Sequence, residues 1–330
     1  MKNLEKIAQK MVSSGKGILA ADESTPTCTK RFSDLGIEST ESTRNEYRST
    51  LFTTNNLEDY ISGVILFDET FYQNISGTQK TIPEYLKSKN ILTGIKVDTG
   101  AKPLAKHECE KITEGLDGLR EQLVVYKSKG ADFAKWRAVI TINKNIPSKT
   151  CIHANTHALA RYASLCQEND IVPIVEPEIL MDGNHTIETC YDITNITLES
   201  VFKELALFKV DLKAIVLKPN MILPGIKSNK KISNNTIAKM TFDVLKNNVP
   251  PEVPDIAFLS GGQTSDLAAQ RLNTLNELYI ENRAWKLTFS YGRALQQDAL
   301  LNFANGSKKK VQDALIYRAR MNHLASIGKL

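Results

Sequence analysis

The chain has 330 residues, 42% hydrophobic and 24% charged, which allows one large domain or two ordinary ones with ample core. Its 42 basic and 37 acidic residues leave a formal charge of +5, a balance that suits anionic metabolites; no long basic run with interleaved aromatics points to nucleic acid. No stretch approaches the length of a membrane span, and five scattered cysteines without a Cys-x-x-Cys pair argue against a disulfide framework or a thiolate zinc site.

In chain order, "MKNLEKIAQKMVSSGKG" reads as an amphipathic helix carrying charges throughout, not as a signal peptide, so a reducing cytosol is the expected compartment. Eight short apolar runs follow: 17–22, 63–68, 92–98, 131–137, 172–178, 213–219, 256–262 and 286–292. Helical patterns lie between them, at 38–53, 109–129, 153–169, 186–209, 234–248, 264–281 and 293–304. "STEST" and "GGQTSD" place hydroxyl caps and first-turn acids where two of these helices begin. "SKKKV" (307–311) reads as a solvated helix start. His153 and His157 share one helical face, but with no glutamate between them and no third ligand nearby in sequence they are not read as a metal site.

Strand–helix alternation predicts a parallel α/β fold. Eight such units in this length match a closed (β/α)8 barrel, with an extra N-terminal helix and C-terminal helices. No Pro/Gly/Ser-rich linker divides residues 1–330, which predicts a single domain. A doubly wound open sheet is the alternative; it usually carries a glycine-rich turn after its first strand, and "AADEST" has none.

In a barrel, chemistry gathers where strands end. Those ends read Asp22–Glu23, Asp68–Glu69, Lys96, Lys135 with Arg137, Glu176 with Glu178, Lys218, Ser260–Gly261–Gly262, and Ser290 with Arg293. Singly, each has a bland explanation as a rim salt bridge or a turn. Together, opposed carboxylates and lysines on successive strands make a converging polar pocket. Period-two alternation puts Lys135 and Arg137 on one face with Trp136 on the other, and pairs Glu176 with Glu178. Lys218 ends the apolar run "KAIVLKP". It either leaves the strand for water or stands as a neutral amine awaiting a carbonyl. Mutual repulsion among Lys96, Lys135 and Lys218, with desolvation, predicts a neutral amine on at least one. Glu176 would then shuttle protons, and Asp22 would take one from a substrate hydroxyl. "SGGQTSD" runs into a helix, and its glycines let backbone N–H groups approach a phosphate. "SYGRAL", with Gly292 and Arg293, repeats the device.

The stretches "GKGILAADES", "GVILFDET", "GIKVDTG", "GLDGL", "ADFAKWR", "LARYASLCQ", "VPIVEPEIL", "LKPNMILPG", "FLSGGQ" and "LTFSYGRALQ" closely resemble class I fructose-bisphosphate aldolase, in register from about residue 10 to the C-terminus. The resemblance implies a Schiff-base lyase of glycolysis and gluconeogenesis. It would cleave fructose 1,6-bisphosphate reversibly into dihydroxyacetone phosphate and glyceraldehyde 3-phosphate, without metal or cofactor. Lys218 then resembles the imine-forming lysine and Glu176 the acid/base for carbinolamine dehydration. Asp22, with Lys135 beside it, resembles the group acting on the C4 hydroxyl. Ser260, Gly261, Gly262, Ser290 and Arg293 resemble the site of the phosphate nearest the imine. Ser24, Arg31 and Lys96 resemble the distal sugar and phosphate contacts. A cytoplasmic homotetramer is likewise implied, with phosphorylated sugars as partners and neither nucleic acid nor membrane.

Two departures shape the expectations. The family's "DESTGS" is here "DESTPT" (22–27), so Pro26 stiffens the loop and Thr27 takes the place of a phosphate-facing serine. Weaker or reshaped distal-phosphate binding is expected, not its loss. Animal and plant members continue past the point where this chain reads "SIGKL", into a tail whose last tyrosine assists proton exchange on the enamine. The last tyrosine here is Tyr317. Cleavage should survive, with enamine protonation slower or served by another group. Two rivals remain: a Schiff-base lyase for another phosphorylated ketose, and an idle scaffold binding sugar phosphates or proteins. An idle protein should have lost Lys218, Glu176 or Asp22, and all three are present.

Overall fold

The computed structural model describes every residue except Met1, Ser14 and Asn229. Eight parallel strands close into a barrel: β1 (Gly17–Ala21), β2 (Ile61–Leu66), β3 (Leu92–Lys96), β6 (Phe133–Ile140), β7 (Val172–Ile179), β8 (Val216–Leu217), β9 (Asp255–Phe258) and β10 (Lys286–Tyr291). Around the barrel they run β1-β10-β9-β8-β7-β6-β3-β2 and back to β1. Closure excludes the open-sheet alternative. The two strands omitted from that circuit, β4 (Gly100–Pro103) and β5 (Lys111–Glu114), form a separate antiparallel hairpin between β3 and β6.

The hairpin corrects one expectation. Residues 109–129 do not form one helix, because their first part pairs as β5 and only α6 (Leu119–Ser128) is helical. Gly115 and Gly118 lie between the two at φ +124° and +72°. Neither conformation fits a right-handed helix, whereas both turn the chain cheaply for glycine. The run at 213–219 is also shorter than expected. Leu212–Ala214 is a 3-10 turn, leaving two residues of strand.

The remaining helices are α1 (Lys2–Met11), α2 (Thr25–Ser33), α3 (Glu41–Phe52), α4 (Asp68–Phe71), α5 (Ile82–Ser88), α7 (Lys149–Glu168), α8 (Ile187–Leu207), α9 (Asn234–Asn248), α10 (Ser265–Tyr279), α11 (Arg293–Ala304) and α12 (Lys308–Ser326). The sequence caps act as read. Thr40 Oγ1 accepts from the Thr43 N–H in a capping box, and Thr264 accepts from Leu267. Each such cap contributes about 1 kcal/mol.

The alternation within strands divides the interior in two. Outward-facing Leu19, Trp136, Val175, Leu217 and Phe258 pack beneath the surrounding helices. Inward-facing Ile18, Ala20, Phe133, Val172, Ile174, Val216 and Ala257 fill the lower barrel, which α1 closes with Leu4, Ala8 and Met11. Burying one such large apolar side chain stabilises by roughly 1.5–3 kcal/mol. Above this apolar floor the same inward positions turn polar, and the site begins there.

Candidate active site

Strand register assembles the polar layer. Lys96 on β3 is the cross-strand neighbour of Lys135 on β6. Arg137 and Val139 on β6 lie opposite Glu176 and Glu178 on β7. Asp22 follows β1 and Lys218 follows β8, where the Lys218 N–H still donates to Val175 O at 2.8 Å. These side chains line a cavity of about 360 Å³, typical of a small-molecule site. Every residue named from the sequence as a catalytic or substrate contact lies on its wall: Asp22, Ser24, Thr27, Arg31, Lys96 and Lys135 on one side; Arg137, Glu176, Glu178 and Lys218 in the middle; Ser260, Gly261, Gly262, Ser290, Gly292 and Arg293 opposite.

Lys218 does not leave the barrel for the outer surface. It is 4% exposed, and its Nζ lies 3.2 Å from Glu176 Oε1. Among the described residues that is its one carboxylate partner. Lys135 is placed differently: its Nζ lies 2.7 Å from Asp22 Oδ2, 3.6 Å from Glu176 Oε2 and 3.9 Å from Asp98 Oδ2. Burial works against its charge, yet the carboxylates of Asp22, Glu176 and Asp98 outweigh that cost and hold the ammonium well above its ordinary range. Mutual repulsion therefore does not neutralise Lys135, because three acids surround it. Burial likewise opposes the charge on Asp22, but Lys135, Lys218 and Lys96 together lower its pKa to about 2. Asp22 is thus an ionised acceptor already committed to an ammonium.

Glu176 joins the two lysines through different oxygens. Its Oε2 accepts no hydrogen bond among the described residues, leaving a lone pair open to receive a proton. Arg137 Nε donates to Glu178 Oε2, so that pair is mutually satisfied beside Glu176.

The opposite wall differs in character. Gly261 and Gly262 take φ +55° and +82°, turning the backbone between β9 and α10 with no Cβ in the way. Ser290 is 1% exposed, and its Oγ has no partner among the described residues, so a buried donor faces the cavity unsatisfied. Arg293 opens α11 and is the one cation on the wall without a carboxylate among the described residues, whereas Arg31, Lys96, Lys135, Arg137 and Lys218 each have one. Unspent donors, an unpaired guanidinium and two helix starts make an anion site. These segments follow the seventh and eighth barrel strands, a frequent phosphate position in such barrels.

Pro26 falls in the first turn of α2, where its fixed φ suits a helix start. Ser24 Oγ and Thr27 Oγ1 lie 3.1 Å apart, so both hydroxyls remain at the cavity edge. Arg31 Nη1 donates to Glu23 Oε1 at 2.5 Å, and Gln296 Nε2 donates to the same oxygen at 3.0 Å.

Two strand-end residues turn away. Asp68 accepts from Tyr126 Oη at 2.7 Å, and Glu69 pairs with Arg44 at 2.5 Å, so neither lines the cavity. Asp98 was passed over in the sequence. It lies on the wall, 2.8 Å from Lys96 Nζ, and its position two residues beyond Lys96 was the available signal. Tyr317 is 54% exposed on α12 and is not part of the wall.

The family model described as fructose-bisphosphate aldolase class-I matches residues 3–330. A probable fructose-bisphosphate aldolase class 1 of Xanthomonas axonopodis pv. citri is 50% identical over 100% of this chain and 98% of that protein. The muscle-type fructose-bisphosphate aldolase of Lethenteron camtschaticum is 47% identical, over 99% and 91%. Among solved structures, the fructose-bisphosphate aldolase of Plasmodium falciparum, crystallised with TRAP and a small-molecule inhibitor, superposes with a TM-score of 0.96. It is 44% identical, over 99% of this chain and 95% of that one. Matches of this depth along the whole chain, on a closed (β/α)8 barrel, leave one conclusion: the chain belongs to the class I fructose-bisphosphate aldolase family, which are lyases acting through a Schiff base.

Proposed function

We propose that this chain cleaves fructose 1,6-bisphosphate to dihydroxyacetone phosphate and glyceraldehyde 3-phosphate, reversibly, with Lys218 as the imine-forming residue. The observation that carries the assignment is the contrast between the two buried lysines. Lys135 is tied to three carboxylates as a charged group, whereas Lys218 faces the cavity with Glu176 alone at 3.2 Å.

In this reading Lys218 attacks the C2 ketone after giving a proton to Glu176, and Glu176 returns a proton to the departing hydroxyl as the carbinolamine dehydrates. The iminium nitrogen then draws electrons from the C3–C4 bond while Asp22 accepts the C4 hydroxyl proton. The Lys135 ammonium, between Asp22 and Glu176, steadies the charge that develops on each. Ser260, Gly261, Gly262, Ser290, Gly292 and Arg293 bind the phosphate nearest the imine. Ser24, Thr27, Arg31 and Lys96 take the distal phosphate and sugar, and Arg137 with Glu178 hold the chain of hydroxyls between. Fixing both ends places the ketone carbon over Lys218, which lowers the entropic part of the barrier. The assembly and compartment that go with this reading are a homotetramer and the cytoplasm; both rest on the family likeness.

Coupled assays of triose phosphate release test the substrate. Turnover on fructose 1,6-bisphosphate, exceeding that on fructose 1-phosphate in kcat/KM, is expected from the two-ended cavity. Turnover only on another ketose phosphate would favour the related lyase, and binding without turnover on any would favour a scaffold.

A further inference from the structure

The loop carrying Ser260, Gly261 and Gly262 is held from behind by two residues that the chemistry above does not use. Ser260 O accepts twice from Gln263, from its N–H at 3.0 Å and from its side-chain Nε2 at 2.9 Å. Gln263 is 7% exposed, and its Oε1 accepts in turn from Arg271 Nη1 at 2.9 Å, on the second turn of α10. Arg271 is partly buried and pairs with no carboxylate among the described residues; burial lowers its pKa and nothing raises it. Its further contact is Asn234 Oδ1, 3.4 Å from Nε at the start of α9. Withdrawing a cation from water without an anion beside it is costly. What this guanidinium has instead is a chain of dipoles leading to the anion site.

The direction of that chain matters. The Ser260–Gly261 peptide is trans, so its C=O and N–H point in opposite directions. Fixing Ser260 O toward Gln263 therefore turns the Gly261 N–H the other way, toward the cavity that Ser260, Gly261 and Gly262 line. Glycine at 261 restricts rotation of this peptide only weakly, and a flip would put a carbonyl oxygen where an anion must sit. Neither the Gly261 nor the Gly262 N–H has a backbone acceptor among the described residues, so both remain unspent. Hydrogen bonds in series polarise one another. A guanidinium drawing on Gln263 Oε1 thus strengthens the Nε2–H that grips Ser260 O, and with it the Gly261 N–H.

We propose that Arg271 and Gln263 are positioning residues for the phosphate nearest the imine, acting through the Ser260–Gly261 peptide; this rests on reading that loop as the phosphate site. Neither side chain lies on the cavity wall, so neither is a contact of the substrate itself. Their contribution is to hold a backbone donor aimed before the anion arrives, which spares the cost of ordering it on binding.

The test compares wild type, Arg271→Met, Arg271→Lys and Gln263→Glu by calorimetric titration with dihydroxyacetone phosphate and by steady-state cleavage of fructose 1,6-bisphosphate. Arg271→Met should raise the Kd for dihydroxyacetone phosphate and the KM by about fivefold to tenfold, the worth of one hydrogen bond to a charged group. Its kcat should stay within about twofold of wild type, because the contact is weakened alike in ground and transition states. Arg271→Lys keeps the charge and one donor for Gln263 Oε1, and should recover most of the affinity. Gln263→Glu keeps the shape and the acceptor for Arg271 but sets a carboxylate oxygen against Ser260 O, so it should weaken binding at least as much. Should Gln263→Glu not fold, the two Arg271 variants decide alone. Equal Kd in wild type and Arg271→Met would overturn the proposal. So would a fall in kcat at unchanged KM, or an Arg271→Lys no better than Arg271→Met, since each would make Arg271 a packing residue only. A wild type that binds dihydroxyacetone phosphate but cleaves no bisphosphate would contradict the cleavage reading, while the Kd comparison would still decide this one. No binding by the wild type would overturn both.

Discussion

Asp22 lies at the mouth of the barrel, just after β1, and Asp255 opens β9 at the opposite end. Asp255 is buried and Asp22 largely so, and the two ends treat these carboxyls in opposite ways. At the mouth, burial is outweighed by Lys135, Lys218 and Lys96, and the Asp22 pKa falls to about 2. At the floor, burial dominates; the Lys286 N–H at 2.9 Å and the more distant charges of Lys286 and Arg283 do not compensate, and the Asp255 pKa rises to about 8. The mouth collects charges until they hold each other ionised. The floor gathers far fewer, and there burial raises the carboxyl pKa of Asp255 and of Asp132, which accepts from the Thr93 N–H. A single alternating strand pattern produces both, because inward positions are apolar below and ionisable above.

The largest effect that would sharpen this contrast is loss of Lys218. Lys218→Met should reduce cleavage at least ~10⁴-fold, as expected for removal of an essential nucleophile, while the far-ultraviolet circular dichroism melt stays close to wild type. A residual rate within tenfold of wild type would assign the nucleophile elsewhere.

The next effect concerns the floor. Native Asp255 stays protonated up to about pH 8, whereas the unfolded carboxyl ionises near 3.8. Between those values the native state binds the extra proton, so this group's contribution to stability is fully present below about pH 4 and is lost as pH rises toward 8. Asp255→Asn keeps the acceptor for Lys286 N–H and has no charge to gain. Its stability relative to wild type should therefore improve by a few kcal/mol from pH 4 to pH 8, measured by urea unfolding. A difference that does not change with pH would mean the floor tolerates an ionised carboxylate.

Asp22 gives the smaller effect, of opposite sign. Its native pKa of about 2 lies below the unfolded 3.8, so its stabilisation is complete above about pH 4 and is lost as pH falls through 2. That amounts to about 2 kcal/mol. The stability gap between wild type and Asp22→Asn should close by that much from pH 5 to pH 2, and a constant gap would remove the lysines as the cause.

These features were unequally legible in the sequence. The barrel strands announced themselves as short apolar runs ending in ionisable residues, and period two put Lys135 and Arg137 on one face and Trp136 on the other, which prove to be the cavity face and the helix-covered face. The hairpin β4–β5 was hidden because four-residue strands on a rim leave no apolar run to detect. Asp68 and Glu69 ended a strand as the others did, but which way a residue turns after its strand depends on neighbours such as Arg44 and Tyr126. The individual lysine–carboxylate partners depend on how strands are staggered around the circuit. Hence Lys135 could be placed in the pocket from sequence, but not as the lysine whose charge three carboxylates favour. The His153 and His157 rings both face Glu204 of α8, 47 residues beyond His157, and only the packing of α7 on α8 joins them.

The central claim is that Lys218, and not Lys96 or Lys135, captures the substrate carbonyl. Incubation with dihydroxyacetone phosphate and sodium borohydride, followed by peptide mass spectrometry, addresses it directly. The expected result is one stable adduct, on the peptide carrying Lys218, absent from Lys218→Met. An adduct on Lys135 or Lys96, or none at saturating ligand, would contradict it.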